Sequence, residues 1–460
     1  MCDERHTSPW SRRRYLQTTA TAGIATVAGL SGSGTASAEP GDVRWQFESD
    51  SLLGSPTVVD GTVYVASREK LRALDAASGR KQWVTGSADS IAPVTVADGT
   101  VYVSPKLRAI DARIGSKQWS IDLDHLYHYS SPMVADGTVF VGSGDGRLYA
   151  VDAGTGEKVW QFETGDEEWS PAVVVDGTVY IQGGSEPVTD DGTLIGHRTR
   201  LYAVDARTGE TLWSVETYGK PLSTPTLRNG TVFVCSGAPD STLYALDSET
   251  GDEVWAFEVD RLGQSTPTVA NGTVYVGSNK AVYGDSRHGV ILYAVDAASG
   301  EEMWTVDGEG YVGRGSPTVA GGSVFIASIA GVYAADAVTG EIEWQFENGD
   351  DFSDSFPIVV DGVLYINSSD LDGTPSSVYA LEAGVDGSSE GSRAWLGTQG
   401  HHDEWAHAGQ QIQIHREGTY SSMGPVEFGL LGGTGLAAGG LFGIRQLFKT
   451  RLGPDRSDET

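Results

Sequence analysis

Residues 131–163 read SPMVADGTVFVGSGDGRLYAVDAGTGEKVWQFE, and this stretch decides the fold. After Pro132 the apolar side chains run up to Asp136-Gly137, resume in Thr138-Val139-Phe140-Val141, and resume again in Leu148-Tyr149-Ala150-Val151 before Asp152. Gly154-Thr155-Gly156 then leads into Lys158-Val159-Trp160-Gln161-Phe162. Alternation with a period of two predicts strands whose side chains point to opposite faces. An Asp-Gly pair between two such runs is the strongest short hairpin signal, because a type I′ turn needs positive φ at both central residues. The stretch therefore predicts four short antiparallel strands.

The same phrase recurs on both sides. The prolines are Pro56, Pro93, Pro132, Pro171, Pro225, Pro267, Pro317 and Pro357. The turn pairs are Asp60-Gly61, Asp98-Gly99, Asp136-Gly137, Asp176-Gly177, Asn229-Gly230, Asn271-Gly272, Gly321-Gly322 and Asp361-Gly362. Third strands end on Asp75, Asp111, Asp152, Asp205, Asp247, Asp296 and Asp336, with Glu382 in the eighth copy. Four strands in roughly 40–45 residues make one blade of a β-propeller. The fold class is all-β: an eight-bladed β-propeller of four-stranded antiparallel blades over residues 39–385, one domain built of eight units. A lone four-stranded sheet leaves both faces wet. Radial packing buries them, and the outer-strand tryptophans Trp83, Trp119, Trp160, Trp213, Trp255, Trp304 and Trp344 are large enough to fill the gaps. The eighth copy loses its last turn, while Val43-Arg44-Trp45-Gln46-Phe47-Glu48 reads like Val159 to Glu163. This N-terminal segment is expected to supply the outer strand of blade eight, with Trp45 as its docking tryptophan, which closes the ring and removes an open edge. The regular third-strand aspartates read as turn and strand-end hydrogen-bond partners.

The phrase Gly154-Thr155-Gly156-Glu157-Lys158-Val159-Trp160 resembles the docking signature A-x-T-G-x-x-x-W of the quinoprotein-type propeller repeat, and Thr208 to Trp213 and Thr339 to Trp344 match it as well. The resemblance covers about three quarters of the chain. It implies the propeller fold and leaves two functions open. One resembles the propeller of the outer-membrane assembly lipoprotein family, a non-catalytic module that docks partners through rim loops and needs no cofactor. The alternative is a dehydrogenase of an alcohol or sugar that depends on pyrroloquinoline quinone (PQQ) and calcium. That chemistry implies a tryptophan floor under the quinone, oxygen ligands for calcium and an Asp base. The alcohol dehydrogenases of that type also carry a disulfide of adjacent cysteines, whereas the cysteines here are Cys2 and Cys235. The expectation is therefore a binding scaffold with no catalytic, cofactor or metal residues. A polymer-active enzyme is disfavoured, because neither a Ser-centred elbow nor carboxylates paired at a defined spacing occur.

The loops fall into two classes. First-to-second and third-to-fourth turns are short and near-uniform, and they share one rim. Fourth-to-first and second-to-third connections open on the other rim and vary, including inserts over 182–200 and 278–290. Function concentrates on variable loops held by a rigid scaffold. Tyr127, His128, Trp169, Tyr218, Lys220, Arg261, Tyr311, Arg314 and Phe352 are the candidate partner-binding residues of that rim, because aromatics and Arg are the usual interface anchors.

Composition and charge bound the rest. Glycine is 61 of 460 residues, well above the usual ~7% and suited to a turn-rich chain. With Asp+Glu 62 against Lys+Arg 31 the net charge is −31, so phosphate backbones find little to neutralise them and nucleic acid is excluded as a partner. Self-repulsion at that charge is relieved when molar salt shortens the Debye length to about 3 Å, so the acidic, lysine-poor composition reads as that of a halophilic protein. Ser11-Arg12-Arg13-Arg14-Tyr15-Leu16, an apolar stretch from Ala20 to Leu30 and Ala36-Ser37-Ala38 make residues 1–38 a twin-arginine-type export signal. Residues 386–425 read as a flexible polar linker; its His401, His402, His407 and His415 lack a metal-ligand spacing and read as solvated. Phe428 to Ile444 is uncharged and followed by Arg445, Lys449 and Arg451. That places a C-terminal transmembrane anchor over 426–448 and a cytoplasmic tail over 449–460. The expectation is a monomer on the extracytoplasmic face of the cell membrane, whose partner is a protein or a cell-surface polymer. Asn229, Asn271 and Asn367 begin N-x-S/T motifs, the first two on hairpin turns. Cys235 reads as a small buried hydrophobe.

Overall fold

The computed structural model describes residues 38–389 apart from 87–91, 105, 124–130, 164–169, 191–192, 219–222, 238–240, 260–261, 263–264, 279–287, 314 and 370–374. Within them the chain forms eight four-stranded sheets and no helix. Seven sheets are consecutive in sequence. Blade 1, for example, runs Thr57–Val59, Thr62–Ala66, Leu71–Asp75 and Lys81–Thr85, from the inside outwards. All pairings are antiparallel. The innermost strands neighbour one another around the central axis, and that of blade 8 (Ile358–Val360) meets that of blade 1.

The turn chemistry is the one the sequence calls for. Asp60, Asp98, Asp136, Asp176, Asn229, Asn271 and Asp361 take φ between 47° and 51°, and the glycine after each is also positive. Short side chains that tolerate the left-handed region, followed by glycine, give the type I′ hairpin whose twist matches its strands. The third-strand aspartates cap the next turn. Asp152 Oδ1 accepts from Gly154 N at 3.1 Å, Thr155 N at 2.8 Å and Thr155 Oγ1 at 2.9 Å, and Asp205, Asp247 and Asp296 repeat the arrangement. These bonds hold Asp152, Asp205, Asp296 and Asp336 below the ordinary carboxylate value.

The tryptophans join the blades. Each outer-strand indole lies on the turn glycine of the following blade: Trp83 on Gly115, Trp119 on Gly156, Trp213 on Gly251. A Cβ at any of these glycines would stand 2.7 Å from the indole ring, so any other residue there must displace the tryptophan. The indole N–H donates to the carbonyl after the third-strand acid of that same neighbour, Asp or, in blade 8, Glu382, as from Trp83 to Ala112 (2.9 Å), Trp160 to Ala206 (3.0 Å) and Trp344 to Ala383 (3.1 Å). Trp304 stacks on Gly340 in the same way, but its Nε1 is buried with no hydrogen-bond partner. A large aromatic buries roughly 150–250 Å², worth about 4–6 kcal/mol as an upper bound, so each joint adds to the aliphatic core packed between neighbouring blades.

Ring closure follows the expected route. Val43–Ser49 is the outer strand of blade 8, antiparallel to Ser376–Glu382, with Gln46 opposite Tyr379. Trp45 then docks on blade 1, stacking on Gly79 and donating to Ala76 O at 2.8 Å. Hydroxyls tie the axis as well: Thr57 Oγ1 donates to Val94 O at 2.7 Å, and Phe356 N donates to Ser55 Oγ at 3.0 Å across the closing joint.

Three features differ from the sequence reading. The insert 182–200 lengthens the second and third strands of blade 4 to Thr178–Asp190 and Thr193–Asp205, which pair as one long hairpin beyond the blade. The polar stretch after 385 does not leave the blade at once, since Gly387, Ser388 and Ser389 bond to blade 8. Asn367 is buried and donates to Leu53 O at 3.0 Å, which removes it as a glycosylation site, whereas Asn229 and Asn271 stand on exposed turns. Cys235 is buried, and burial pushes its thiol up to about 12. The segments expected to form the export signal and the C-terminal anchor, and most of the polar linker, lie outside the described residues, among which no helix is long and apolar enough to cross a membrane.

Candidate partner-binding face

Strand alternation separates two faces. One carries the exposed two-residue turns and the capped Asp-to-Gly turns, the latter occupied by the tryptophans that join the blades. The other carries the fourth-to-first and second-to-third connections. Here individual loop acids, which the repeat does not supply, pair with tyrosines of the third strands.

The connection from blade 7 to blade 8 is the best defined. Phe352 is 0% exposed and packs on Phe346 and Tyr379. It is therefore a core residue of the loop, out of a partner's reach, although the sequence places it on the rim. A phenyl ring in a run of acids has one apolar surface available, that of the blade below. Beside it Asp351 is buried, its Oδ1 accepting from Ser353 N at 2.7 Å and its carbonyl from Ser369 N at 2.7 Å. Gly313 N and Gly315 N both donate to Ser353 O, which pins the preceding connection, the one carrying Tyr311, to this one. Tyr311 is half-buried there. Burial, then the charges of Asp351 and Asp354, raise its phenol above the ordinary value.

Around this loop runs a polar network. Tyr379 Oη donates to Asp350 Oδ2 at 2.5 Å, and accepts from Asn348 Nδ2 at 2.9 Å and from Gln46 Nε2 at 3.0 Å. Burial and the neighbouring Asp350 raise the Tyr379 phenol, which stays a neutral donor at pH 7. The closing strand thus contributes directly to this face through Gln46. Blade 3 builds a second cluster. Asp145 accepts from Tyr149 Oη at 2.5 Å and from Arg147 Nη1 at 3.2 Å, while Arg147 forks onto Glu163 Oε1 at 2.9 and 2.7 Å. These bonds raise Arg147 further and keep its charge fixed.

Among the described residues of this face the phenols of Tyr311 and Tyr379 are raised and stay protonated at pH 7, and Asp145, Asp350 and Asp351 each accept hydrogen bonds. Among the described residues no group of three His, Cys, Asp or Glu is placed to hold a metal ion. Of the other candidates read from sequence, Tyr218 ends the outer strand of blade 4 opposite Arg198. Tyr127, His128, Trp169, Lys220, Arg261 and Arg314 lie outside the described residues. The clusters around Asp145 and Asp350 escaped the sequence reading, which weighed aromatics and cations and treated acids as solvated surface. The long hairpin had a signal, since Asp191-Gly192-Thr193 repeats the Asp-Gly-Thr of the blade turns.

Comparison with known proteins places this architecture. The family described as outer membrane protein assembly factor BamB matches in four stretches, residues 9–95, 86–189, 197–287 and 287–421. Among solved structures, BamB from Moraxella catarrhalis aligns with a TM-score of 0.57 at 18% identity, covering 74% of this chain and 99% of that one. The quinohemoprotein alcohol dehydrogenase of Comamonas testosteroni aligns at 0.58 and 17% identity, covering 75% and 77%. Both likenesses are of fold. Among curated proteins, tetrathionate hydrolase of Acidithiobacillus ferrooxidans is 31% identical over 121 residues, 23% of this chain and 24% of that protein. The quinone-dependent alcohol dehydrogenase subunit of Gluconobacter oxydans is 29% identical over 191 residues, 40% and 22%. The chain spans about a quarter of the length of these curated relatives. With repeat matches running through most of the sequence and the eight-bladed ring they require, the chain belongs to the BamB family of propeller proteins.

Proposed function

We propose that the protein is a non-catalytic binding or assembly scaffold, exported and held at the extracytoplasmic face of the membrane, which docks a protein or cell-surface polymer on the variable-loop face. The observation that carries this reading is the division of the two faces. One carries near-uniform turns, of which the capped loops take the tryptophans of neighbouring blades, whereas the other presents connections individually fixed by the Asp350–Tyr379 and Asp145–Arg147 clusters. Membership of a family described as an assembly factor supports it. The twin-arginine-type leader over 1–38 and the apolar run over 426–448 would export and tether the propeller.

The second reading is the PQQ- and calcium-dependent dehydrogenase, favoured by the quinoprotein relatives. Two features of the described residues weigh against it. The eight repeat tryptophans, Trp45 to Trp344, are stacked on the glycines of neighbouring blades and leave no indole among them to floor a quinone. The described acids form no calcium-ligand cluster. No step is routed through the group.

The test is affinity capture in high salt from the membranes of the source cell. Tyr127→Ala, Trp169→Ala and Tyr311→Ala are expected to lose the captured partner, while Glu249→Ala on the opposite face keeps it. Equal capture by all four would refute the assignment of the face. Equilibrium dialysis with PQQ and calcium decides the second reading, which saturable binding would revive.

A further inference from the structure

The chain leaves blade 8 by an unusual path. After Glu382 it turns at Gly384, against Pro40 and Trp344, and crosses the short-turn face inwards. Gly362 N donates to Gly387 O at 2.7 Å and Asp361 N to Ser388 Oγ at 3.0 Å, so the segment lies over the first hairpin turn of blade 8. Ser389 then reaches the innermost strand: its N donates to Val359 O at 2.7 Å, its Oγ accepts from Val359 N at 2.8 Å, and Thr318 Oγ1 of blade 7 stands 3.3 Å from it. Ile358 and Val360 pair with the second strand, facing Tyr365 and Val363. The main-chain groups of Val359, between them, point off the ladder towards the axis. Ser389 therefore caps a free sheet edge at the wall of the central axis.

A second, independent observation lies in blade 7. Seven of the eight hairpin turns begin with Asp or Asn, and only blade 7 has glycine there, Gly321. Its φ of 56° is close to the 47° to 51° that Asp and Asn adopt in the other seven, so the backbone does not call for glycine. The segment does. A Cβ on Gly321 would stand 2.7 Å from Val385 Cβ and 2.9 Å from Asp386 O. The corresponding second-position glycines of the first four blades, Gly61, Gly99, Gly137 and Gly177, meet nothing within 4 Å, whereas a Cβ on Gly362 would stand 2.9 Å from Val385 O.

We infer that the short-turn mouth of the central axis is a docking site for the chain's own C-terminal segment, with residues 384–389 acting as a strap for which Gly321 makes room. The strap covers the turns of blades 7 and 8 and brings Ser389 to the wall of the axis. This goes beyond the proposed function and does not depend on what the opposite face binds.

Amide hydrogen exchange on the intact full-length chain tests it. Val359, Asp361 and Gly362 are expected to exchange at least about tenfold more slowly than Val58, Asp60 and Gly61, the same positions in blade 1. Gly321→Asn should remove that difference and lower the melting temperature, with exchange in blades 2 to 5 unchanged. Without the strap the same substitution relieves the chain of a flexible glycine at a compatible φ, and raises the melting temperature or leaves it alone. Ser389→Ala should speed exchange at Val359 and leave Gly362 slow. Equal exchange of the two sets in the unsubstituted chain, or a Gly321→Asn chain with unchanged exchange and an equal or higher melting temperature, overturns the inference.

Discussion

Two glycines of blade 1 offer a matched test of the tryptophan joints. Gly61 and Gly79 have nearly the same φ, 69° and 67°. Alanine at either position pays the same left-handed penalty, about 1–2 kcal/mol. Their surroundings differ. A Cβ on Gly61 meets nothing within 4 Å, whereas one on Gly79 would stand 2.7 Å from Trp45 Cε3 and 2.8 Å from Cδ2. Trp45 cannot simply back away, because it is 9% exposed, bonded to Ala76 O, and in ring contact with Tyr365 at 6.0 Å. Forcing a methyl into such a contact costs a further ~1–3 kcal/mol. Gly79→Ala should therefore destabilise by about 2–5 kcal/mol and Gly61→Ala by about 1–2 kcal/mol. With an unfolding entropy near 2.1 cal/mol/K per residue, a propeller of this length loses roughly 1.4 °C per kcal/mol, so the two variants should melt about 1–4 °C apart. Scanning calorimetry of both in one high-salt buffer reads the difference directly. Equal melting temperatures would mean that the indole–glycine contact does not hold the closing joint.

Three further outcomes are expected. Deleting residues 43–48 strips blade 8 of its outer strand and blade 1 of Trp45, so the melting temperature should fall sharply; an unchanged melt would contradict the closure. Asp152, Asp205, Asp296 and Asp336 have folded-state values held below the ordinary 3.8, chiefly by hydrogen bonds from their turns. The unfolded chain then binds protons first as pH falls, so the stability these turns contribute is complete above the ordinary value and is lost as pH drops through the lowered ones. Urea midpoints measured from pH 6 down to pH 3 should decline, and Asp152→Asn should flatten that decline, whereas a variant as steep as the parent would argue against the assignment. Finally, a net charge of −31 predicts that the melting temperature rises as salt goes from about 0.1 M to molar levels; a falling curve would remove the halophilic reading.

How much was legible depends on whether a residue acts through its neighbours in sequence or through the ring. Asp136-Gly137 and Asp152-Ala153-Gly154-Thr155-Gly156 specify their turns locally, so the blades, their number and the closing role of Trp45 could be read from the chain. The face was harder. Phe352 in Asp350-Asp351-Phe352-Ser353-Asp354 looks exposed by its company, and only the position of Phe346 and Tyr379 below it shows otherwise. Asp145 and Asp350 look like two more acids among 62, and their partners Tyr149 and Tyr379 sit on strands whose tyrosines belong to the repeat. The strap was hidden for the opposite reason. Gly384-Val385-Asp386-Gly387-Ser388-Ser389 has the composition of a flexible linker, and the mark it leaves is a missing side chain at Gly321, 63 residues earlier.

The closing joint links these observations to the face that a partner would meet. Gln46 belongs to the same strand as Trp45, yet it reaches the other side of blade 8 and donates to Ser377 Oγ at 3.1 Å and to Tyr379 Oη at 3.0 Å. The N-terminal strand therefore does two things at once: its indole holds blade 8 to blade 1, and its amide sets the phenol that orders the loop around Asp350. Blade 8 is also the blade whose inner edge takes Ser389. Both ends of the propeller thus converge on one blade, one at its outer edge and one at its inner edge, and the described loop around Asp350 leads into that blade. In a ring of eight near-equivalent wedges, this is how a symmetric scaffold acquires one distinct side. The asymmetry comes from the segments that enter and leave the ring, together with Gly321, where the repeat gives up its Asp or Asn to the strap.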